Sequence, residues 1–158
     1  MTIRRGGTIG IIGGGQLGRM LALAAAPLGY KVVIYAPDEG CAVAVAAGYT
    51  AGAFDDEAAL TRFAAGVDVV TYEFENLPVA PLEALGDKLR PGTRSLAIAQ
   101  DRAVEKRFIE GAGARVAPWR QIDRIEDVDA AIAALGLPLV LKSRRLGYDG
   151  KGQAWVRD

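Results

Sequence analysis

A short apolar strand running straight into a glycine-rich turn and a helix constrains this chain more than any other feature. Thr8 to Ile12 supplies the strand, and Gly13, Gly15 and Gly18 form a Gly-x-Gly-x-x-Gly turn. A helix from Gln16 to Pro27 follows, and Lys31 to Tyr35, rich in β-branched residues, reads as the next strand. That order is a βαβ unit. The alternation goes on with a short helix over 41–47, a strand over 49–51, a helix over 56–65 with an acidic first turn, and a strand over 67–72. The fold class is therefore α/β, with a leading domain built on a parallel sheet and helices on both faces.

After Asn76 the pattern loosens. Pro78, Pro81 and Pro91 punctuate it, with a short helix around 82–85 and a longer one from Asp101 to the Gly111-Ala112-Gly113 break. That break is the expected boundary between a leading domain, 1–113, and the start of a second one, 114–158. Residues 116–120 read as a strand. Asp123 reads as the cap of a helix carrying Ile125, Val128, Ile132 and Leu135 on one side, stopped by Gly136 and Pro138. Residues 139–143 and 153–157 are two strands around a basic loop, and the last of them stops so near the end that a piece of a longer chain is expected.

Composition narrows the chemistry. Lys plus Arg number 19 and Asp plus Glu 19, so no global field favours nucleic acid or an anionic membrane. Histidine is absent, which removes serine-hydrolase-type triads and most zinc sites. The single Cys41 excludes an internal disulfide and suits a reducing compartment. Residues 19–27 look like a signal-peptide core, but Leu17, Met20, Leu21, Ala24 and Leu28 repeat at helical spacing behind a strand, so an internal amphipathic helix is expected. No run approaches the length of a membrane span, and the expected location is the cytoplasm.

Three segments carry candidate chemistry. The glycine turn can seat a dinucleotide, seat another polar ligand, or simply admit close helix–sheet packing. A dinucleotide site needs an acid closing the second strand, whereas here Asp38 and Glu39 come late, behind Pro37. Gln16 at the turn's apex favours another polar ligand. Glu73, Glu75 and Asn76 follow the strand ending at Tyr72, at the edge where α/β sheets collect ligands, and can hold amino or hydroxyl groups. Finally, Lys142, Arg144, Arg145 and Lys151 surround Gly147, Gly150 and Gly152 against one acid, Asp149. Asp149-Gly150 alone suits a plain hairpin. The added glycines and cations suit a flap over nucleotide phosphates.

Taken together, Gly14-Gly-Gln-Leu-Gly-Arg-Met20, Tyr72-Glu-Phe-Glu-Asn76 and Lys142-x-x-x-x-Gly-Tyr-Asp-Gly-Lys-Gly-Gln153 resemble, in order, the ATP-grasp N5-carboxyaminoimidazole ribonucleotide synthase family. The Gln-Leu pair and the acidic strand end are also similar to glycinamide ribonucleotide transformylase and biotin carboxylase. The resemblance implies the N-terminal portion of a ligase that uses ATP and magnesium to activate bicarbonate as carboxyphosphate and carboxylates 5-aminoimidazole ribonucleotide. It implies a homodimeric parent, a Rossmann-like leading domain of the pre-ATP-grasp kind and a second domain that begins an ATP-grasp fold. Arg102 and Lys142 would contact ATP phosphates, with Gly147, Tyr148, Asp149, Gly150, Lys151, Gly152 and Gln153 as the flap. Tyr148, Asp149 and Lys151 match positions important for activity, and Gly15, Gln16, Leu17, Glu75 and Asn76 match the aminoimidazole side. Magnesium ligands are expected further along, with none in this segment, which alone should be inactive. The rival readings are an NAD(P)-binding oxidoreductase domain, in which Asp38 would matter, and a nucleotide-binding module without turnover.

Overall fold

The first apolar run forms strand β1, Thr8–Ile12, inside a four-stranded sheet. The computed structural model describes residues 3–147 and 150–157. Strands β2 (Lys31–Ala36), β3 (Gly48–Ala51) and β4 (Val69–Tyr72) join β1 in the order β3-β2-β1-β4. Every pairing is parallel, as the strand–helix alternation predicts. Ile12 stands between Tyr35 of β2 and Tyr72 of β4, so three strands end at one edge.

Alternate side chains enter two cores because successive strand residues point to opposite faces. Ile11, Val32, Ile34 and Ala36 pack with Ala22 and Ala25 of helix α1 (Gln16–Ala25) on one face. Ile12, Tyr35 and Val70 pack on the other with Leu60, Phe63 and Ala64 of α2 (Glu57–Ala65) and Leu82 of α3 (Val79–Glu83). Each fully buried side chain of the size of Leu60 or Ile34 contributes roughly 1.5–3 kcal/mol. Asp56 caps α2, its carboxylate accepting from the Ala59 amide at 2.8 Å.

Helix α1 corrects one sequence expectation. Its buried side is the small one, Gly18, Ala22 and Ala25. Leu17, Met20, Leu21 and Leu28, the stripe the spacing singles out, are exposed at 56%, 56%, 43% and 64%. The small face lets the helix lie close to the sheet and turns the large side chains outward.

The chain divides into two compact units, Met1–Leu96 and Ala97–Asp158. Helix α4 (Thr93–Ala99), which the sequence did not reveal, spans that division. Helix α5 (Arg102–Gly111) lies in the second unit, where residues 143–147 bind its first turn. Also in this unit are α6 (Asp127–Leu135) and an antiparallel hairpin of β5 (Leu139–Lys142) with β6 (Gln153–Val156).

Three local readings are revised. Residues 41–47 hold only a 3-10 turn, Val43–Val45. Residues 116–120 form no strand: Pro118 has no amide to donate, and the Trp119 indole instead donates to Glu110 at 3.0 Å. Asp123 does not cap α6, which starts after Glu126; the Asp127 carboxylate accepts from the Asp123 and Arg124 amides at 3.0 Å each. Among the described residues no helix is long and apolar enough to cross a membrane.

Candidate functional site

In the first unit the chemistry gathers where β1, β2 and β4 end. The Gly13 amide donates to the Tyr35 carbonyl at 2.8 Å and the Glu73 amide to the Ile12 carbonyl at 3.2 Å, so both ladders extend one step past the strands. There Gly13 adopts φ +113°, a conformation glycine takes freely. Glu73 then folds back into the turn. Its Oε1 accepts from the Gly15 amide at 2.6 Å, and its Oε2 accepts from the Gly18 amide. The unsatisfied amides that open a helix attract anions, and here the anion is a side chain of the same chain.

This arrangement gives the three motif glycines a common reason. A Cβ on Gly13 would lie 2.6 Å from Glu73 Oε1, and one on Gly15 would lie 2.8 Å from the same atom. A Cβ on Gly18 would meet the Gly13 carbonyl at 2.9 Å and Glu73 Oε2 at 3.0 Å. The glycines clear room for a carboxylate. A dinucleotide pyrophosphate would need the amides that Glu73 already occupies, which argues against the oxidoreductase reading independently of Asp38.

The residues expected to face the aminoimidazole side flank this latch. Gln16 and Leu17 are exposed in the first turn of α1, and the Cys41 thiol donates to Gln16 Oε1 at 3.5 Å. Glu75 is exposed and accepts from Asn76 Nδ2 at 3.2 Å. Gly15 serves the latch itself. Sequence reading put Glu73 at this edge as a candidate ligand-binding acid; its side chain is instead committed to the turn.

In the second unit the β5–β6 hairpin holds the basic loop at its open end. Lys142 pairs across the hairpin with Gln153, and the Ser143 amide donates to the Gly152 carbonyl at 2.7 Å. Arg102, the first residue of α5, braces this loop: its Nε donates to the Ser143 carbonyl at 3.1 Å and its Nη2 to the Gly147 carbonyl. Gly147 and Gly152 fit around Ser143, since a Cβ on Gly147 would lie 2.7 Å from Ser143 Oγ and one on Gly152 would also meet that oxygen. Gly150 and Gly152 have φ +76° and +64°. Tyr148 and Asp149 lie outside the described residues.

Arg144 is tied down more firmly than its neighbours suggest. It donates to Asp101 through Nη2 at 2.6 Å and to Asp123 through Nη1 at 3.1 Å. Asp101 also caps α5, accepting from the Ala103 and Val104 amides at 2.9 and 3.2 Å. The Arg144 hydrogen bond, with those amides, holds the Asp101 carboxyl below its ordinary value, and Asp101 in turn raises the Arg144 guanidinium. Arg145 donates to Gln100 Oε1 at 2.7 Å. Expectation from sequence left these arginines without partners other than Asp149; Asp101, Asp123 and Gln100 supply them. No ion pair to a described residue holds Lys142 or Lys151. A recess of about 530 Å³ lies here, lined in part by Lys142, Ser143, Gly152 and Gln153.

Sequence reasoning did not connect Ser143, Asp101 or Asp123 with the basic loop. Asp101 carried a usable signal, a helix-capping acid directly before Arg102. Ser143 and Asp123 carried none. Among the described residues no group of three or more His, Cys, Asp or Glu side chains could hold a metal ion.

Comparison with known proteins adds three findings. Residues 7–100 match the ribonucleotide synthetase pre-ATP-grasp domain and residues 107–158 the ATP-grasp domain. An N5-carboxyaminoimidazole ribonucleotide synthase of Brucella melitensis is 51% identical over 155 residues, 96% of this chain and 43% of the relative. Two solved structures are similar throughout. The Staphylococcus aureus N5-carboxyaminoimidazole synthetase complexed with ADP has TM-score 0.93 and 42% identity, covering 99% of this chain and 43% of that one. The Aspergillus clavatus N5-carboxyaminoimidazole synthase in complex with ADP and 5-aminoimidazole ribonucleotide has TM-score 0.85 and 28% identity, covering 98% and 41%. The chain thus spans about two fifths of the length of the relatives it matches.

Proposed function

The chain belongs to the ribonucleotide synthetase pre-ATP-grasp family, and from that premise we propose that it is part of an ATP-dependent carbon–nitrogen ligase. The reaction is carboxylation of 5-aminoimidazole ribonucleotide by bicarbonate, through carboxyphosphate, to N5-carboxyaminoimidazole ribonucleotide. The whole protein on this reading is a homodimer. It takes ATP, bicarbonate and the aminoimidazole ribonucleotide as substrates.

One observation carries the proposal. At the mouth of the hairpin, Lys142 and Lys151 are cations that no described carboxylate neutralises, set beside glycines whose amides can approach phosphate. Phosphoryl transfer asks a protein mainly for positioning and for positive charge around the transferred group. Lys142, fixed on β5, acts as a point charge on a nucleotide phosphate. Lys151, with Gly147, Gly150, Gly152 and Gln153, closes over it, and Tyr148 and Asp149 complete the flap. Arg102 braces the flap's base and exchanges a loop carbonyl for a phosphate oxygen when nucleotide enters. In the first unit, Gln16, Leu17, Glu75 and Asn76 face the aminoimidazole ribonucleotide, with Gly15 shaping the turn beneath them. Magnesium neutralises phosphate charge when bound; the described residues offer it no ligand set, and its acids belong to the remainder of the protein.

Hydrogen exchange on the longer parent, with and without a non-hydrolysable ATP analogue, tests this. Residues 143–147 and 150–153 gain protection with the analogue, and Lys142→Ala weakens its binding about tenfold or more. Equal protection in both states together with unchanged affinity in the variant would leave a plain structural hairpin.

A further inference from the structure

The Gly13–Gly18 turn has the parts of an anion site: a strand end, a glycine at positive φ, and bare amides at the start of a ten-residue helix. Its anion is nonetheless built in. Glu73 gives one carboxylate oxygen to the Gly15 amide and the other to the Gly18 amide. All three motif glycines lie where a Cβ would strike that carboxylate. The amide hydrogen bonds and the close contacts at the glycines converge on the same carboxylate.

We propose that Glu73 is an internal ligand of this turn that determines what the turn can recognise. It fills the seat a phosphate would take and cancels the attraction of the α1 N-terminus for negative charge. A substrate therefore meets an edge made of Gln16, Glu75 and Asn76, which offers amide groups and carboxylate oxygens. Such an edge accepts amino and hydroxyl groups and turns phosphate away. This rests on the reading above that the edge faces the aminoimidazole ribonucleotide, and it adds which end of that molecule the edge excludes. Glu73 touches no substrate in this account; it is a positioning residue.

The test uses the chain of residues 1–158 with Glu73→Ala, which leaves Cβ in place and removes the atoms that acetate can replace. Thermal unfolding is followed in sodium acetate and in sodium chloride at equal ionic strength. Acetate should raise the variant's Tm by about 5 °C or more at roughly ten times its dissociation constant, and leave the unaltered chain unmoved relative to chloride. Inorganic phosphate should shift the Gly15 and Gly18 amide resonances in the variant and not in the unaltered chain. Acetate indistinguishable from chloride in the folded variant overturns the proposal, as do phosphate-induced shifts at those amides in the unaltered chain. If Glu73→Ala does not fold, Glu73→Gln decides: its amide keeps one acceptor and turns a donor toward the other amide, so lost exchange protection at Gly15 or Gly18 supports the internal ligand, and unchanged protection at both refutes it. None of these measurements needs the ligase substrate. Failure here is therefore distinct from failure of the proposed reaction, which aminoimidazole ribonucleotide binding by the longer parent would expose.

Discussion

Replacing Gly13 by alanine should be among the costliest single-methyl additions in the first unit, and its cost should depend on Glu73. Two effects combine. Alanine at φ +113° carries backbone strain on the order of 1–3 kcal/mol. Its Cβ would also lie 2.6 Å from Glu73 Oε1, where ordinary contact is 3.4–4 Å, so the carboxylate must retreat. Retreat breaks hydrogen bonds to Gly15 and Gly18 that are charge-assisted, each contributing about 1.5 kcal/mol at the low end that suits a half-buried group. The sum is about 5 kcal/mol, comparable with the whole stability of a small domain at ~5–15 kcal/mol. Gly29→Ala is the control. It has φ +83° with nothing near its Cβ, so it carries strain alone. Urea denaturation followed by far-UV circular dichroism measures both, in the native background and in Glu73→Ala. With Glu73 truncated, Gly13→Ala should cost only the strain, about 2 kcal/mol, a coupling near 3 kcal/mol. Should the native background leave the Gly13 variant unfolded, Gly15→Ala, free of positive φ, replaces it in the cycle. Equal costs in the two backgrounds would refute the claim that the glycine exists for the carboxylate.

Other consequences can be measured on the same chain. Asp101→Ala should cost about 1 kcal/mol for the lost α5 cap, whereas Asp101→Asn keeps the cap and loses the charge that holds Arg144. Because the folded Asp101 carboxyl lies below its ordinary 3.8, the stability it adds is full above that pH and lost as pH falls through the lower folded value. The gap between native and Asn variants in urea titrations should therefore close in strong acid, and a constant gap would remove Arg144 from the account. Neither NAD nor NADP should bind with micromolar affinity in calorimetry, since Glu73 holds the pyrophosphate seat; such affinity would revive the oxidoreductase reading. Met20→Gln and Leu21→Gln, on the exposed side of α1, should shift stability by no more than about 0.5 kcal/mol. A loss of several times that in thermal melts would mean the outward face is packed.

Sequence carried the strands and the parallel topology because β-branched runs and glycine turns are strong local signals. It carried the basic hairpin for the same reason. What it lacked was direction. Glu73 and Glu75 have the same parity along the chain, so alternation alone cannot say which one folds into the turn; that depends on where the chain bends after Tyr72. The apolar stripe of α1 misled because large residues normally mark the buried side, while close approach to this sheet selects Gly18, Ala22 and Ala25. Helix α4 follows Pro91-Gly92 and contains Thr, Ser and Ile, a weak helical signature. Burial of Leu96 in the core beneath the sheet outweighs that local preference. Residues 116–120 looked extended, but with Pro118 in the run a ladder had no amide to use there.

The latch also sets a timetable. Gly15 and Glu73 are 58 residues apart, and a ribosome adding about 5–20 residues per second needs ~3–12 s to make the intervening chain. During that interval β1, the turn and α1 can form, yet the helix start has no counter-charge and the inner strand β1 has a bare edge where β4 will pair. The first unit is thus closed by the last of its sheet strands to be made. A pause in translation shortly before Tyr72 would prolong the stage at which the amides of the turn stand open.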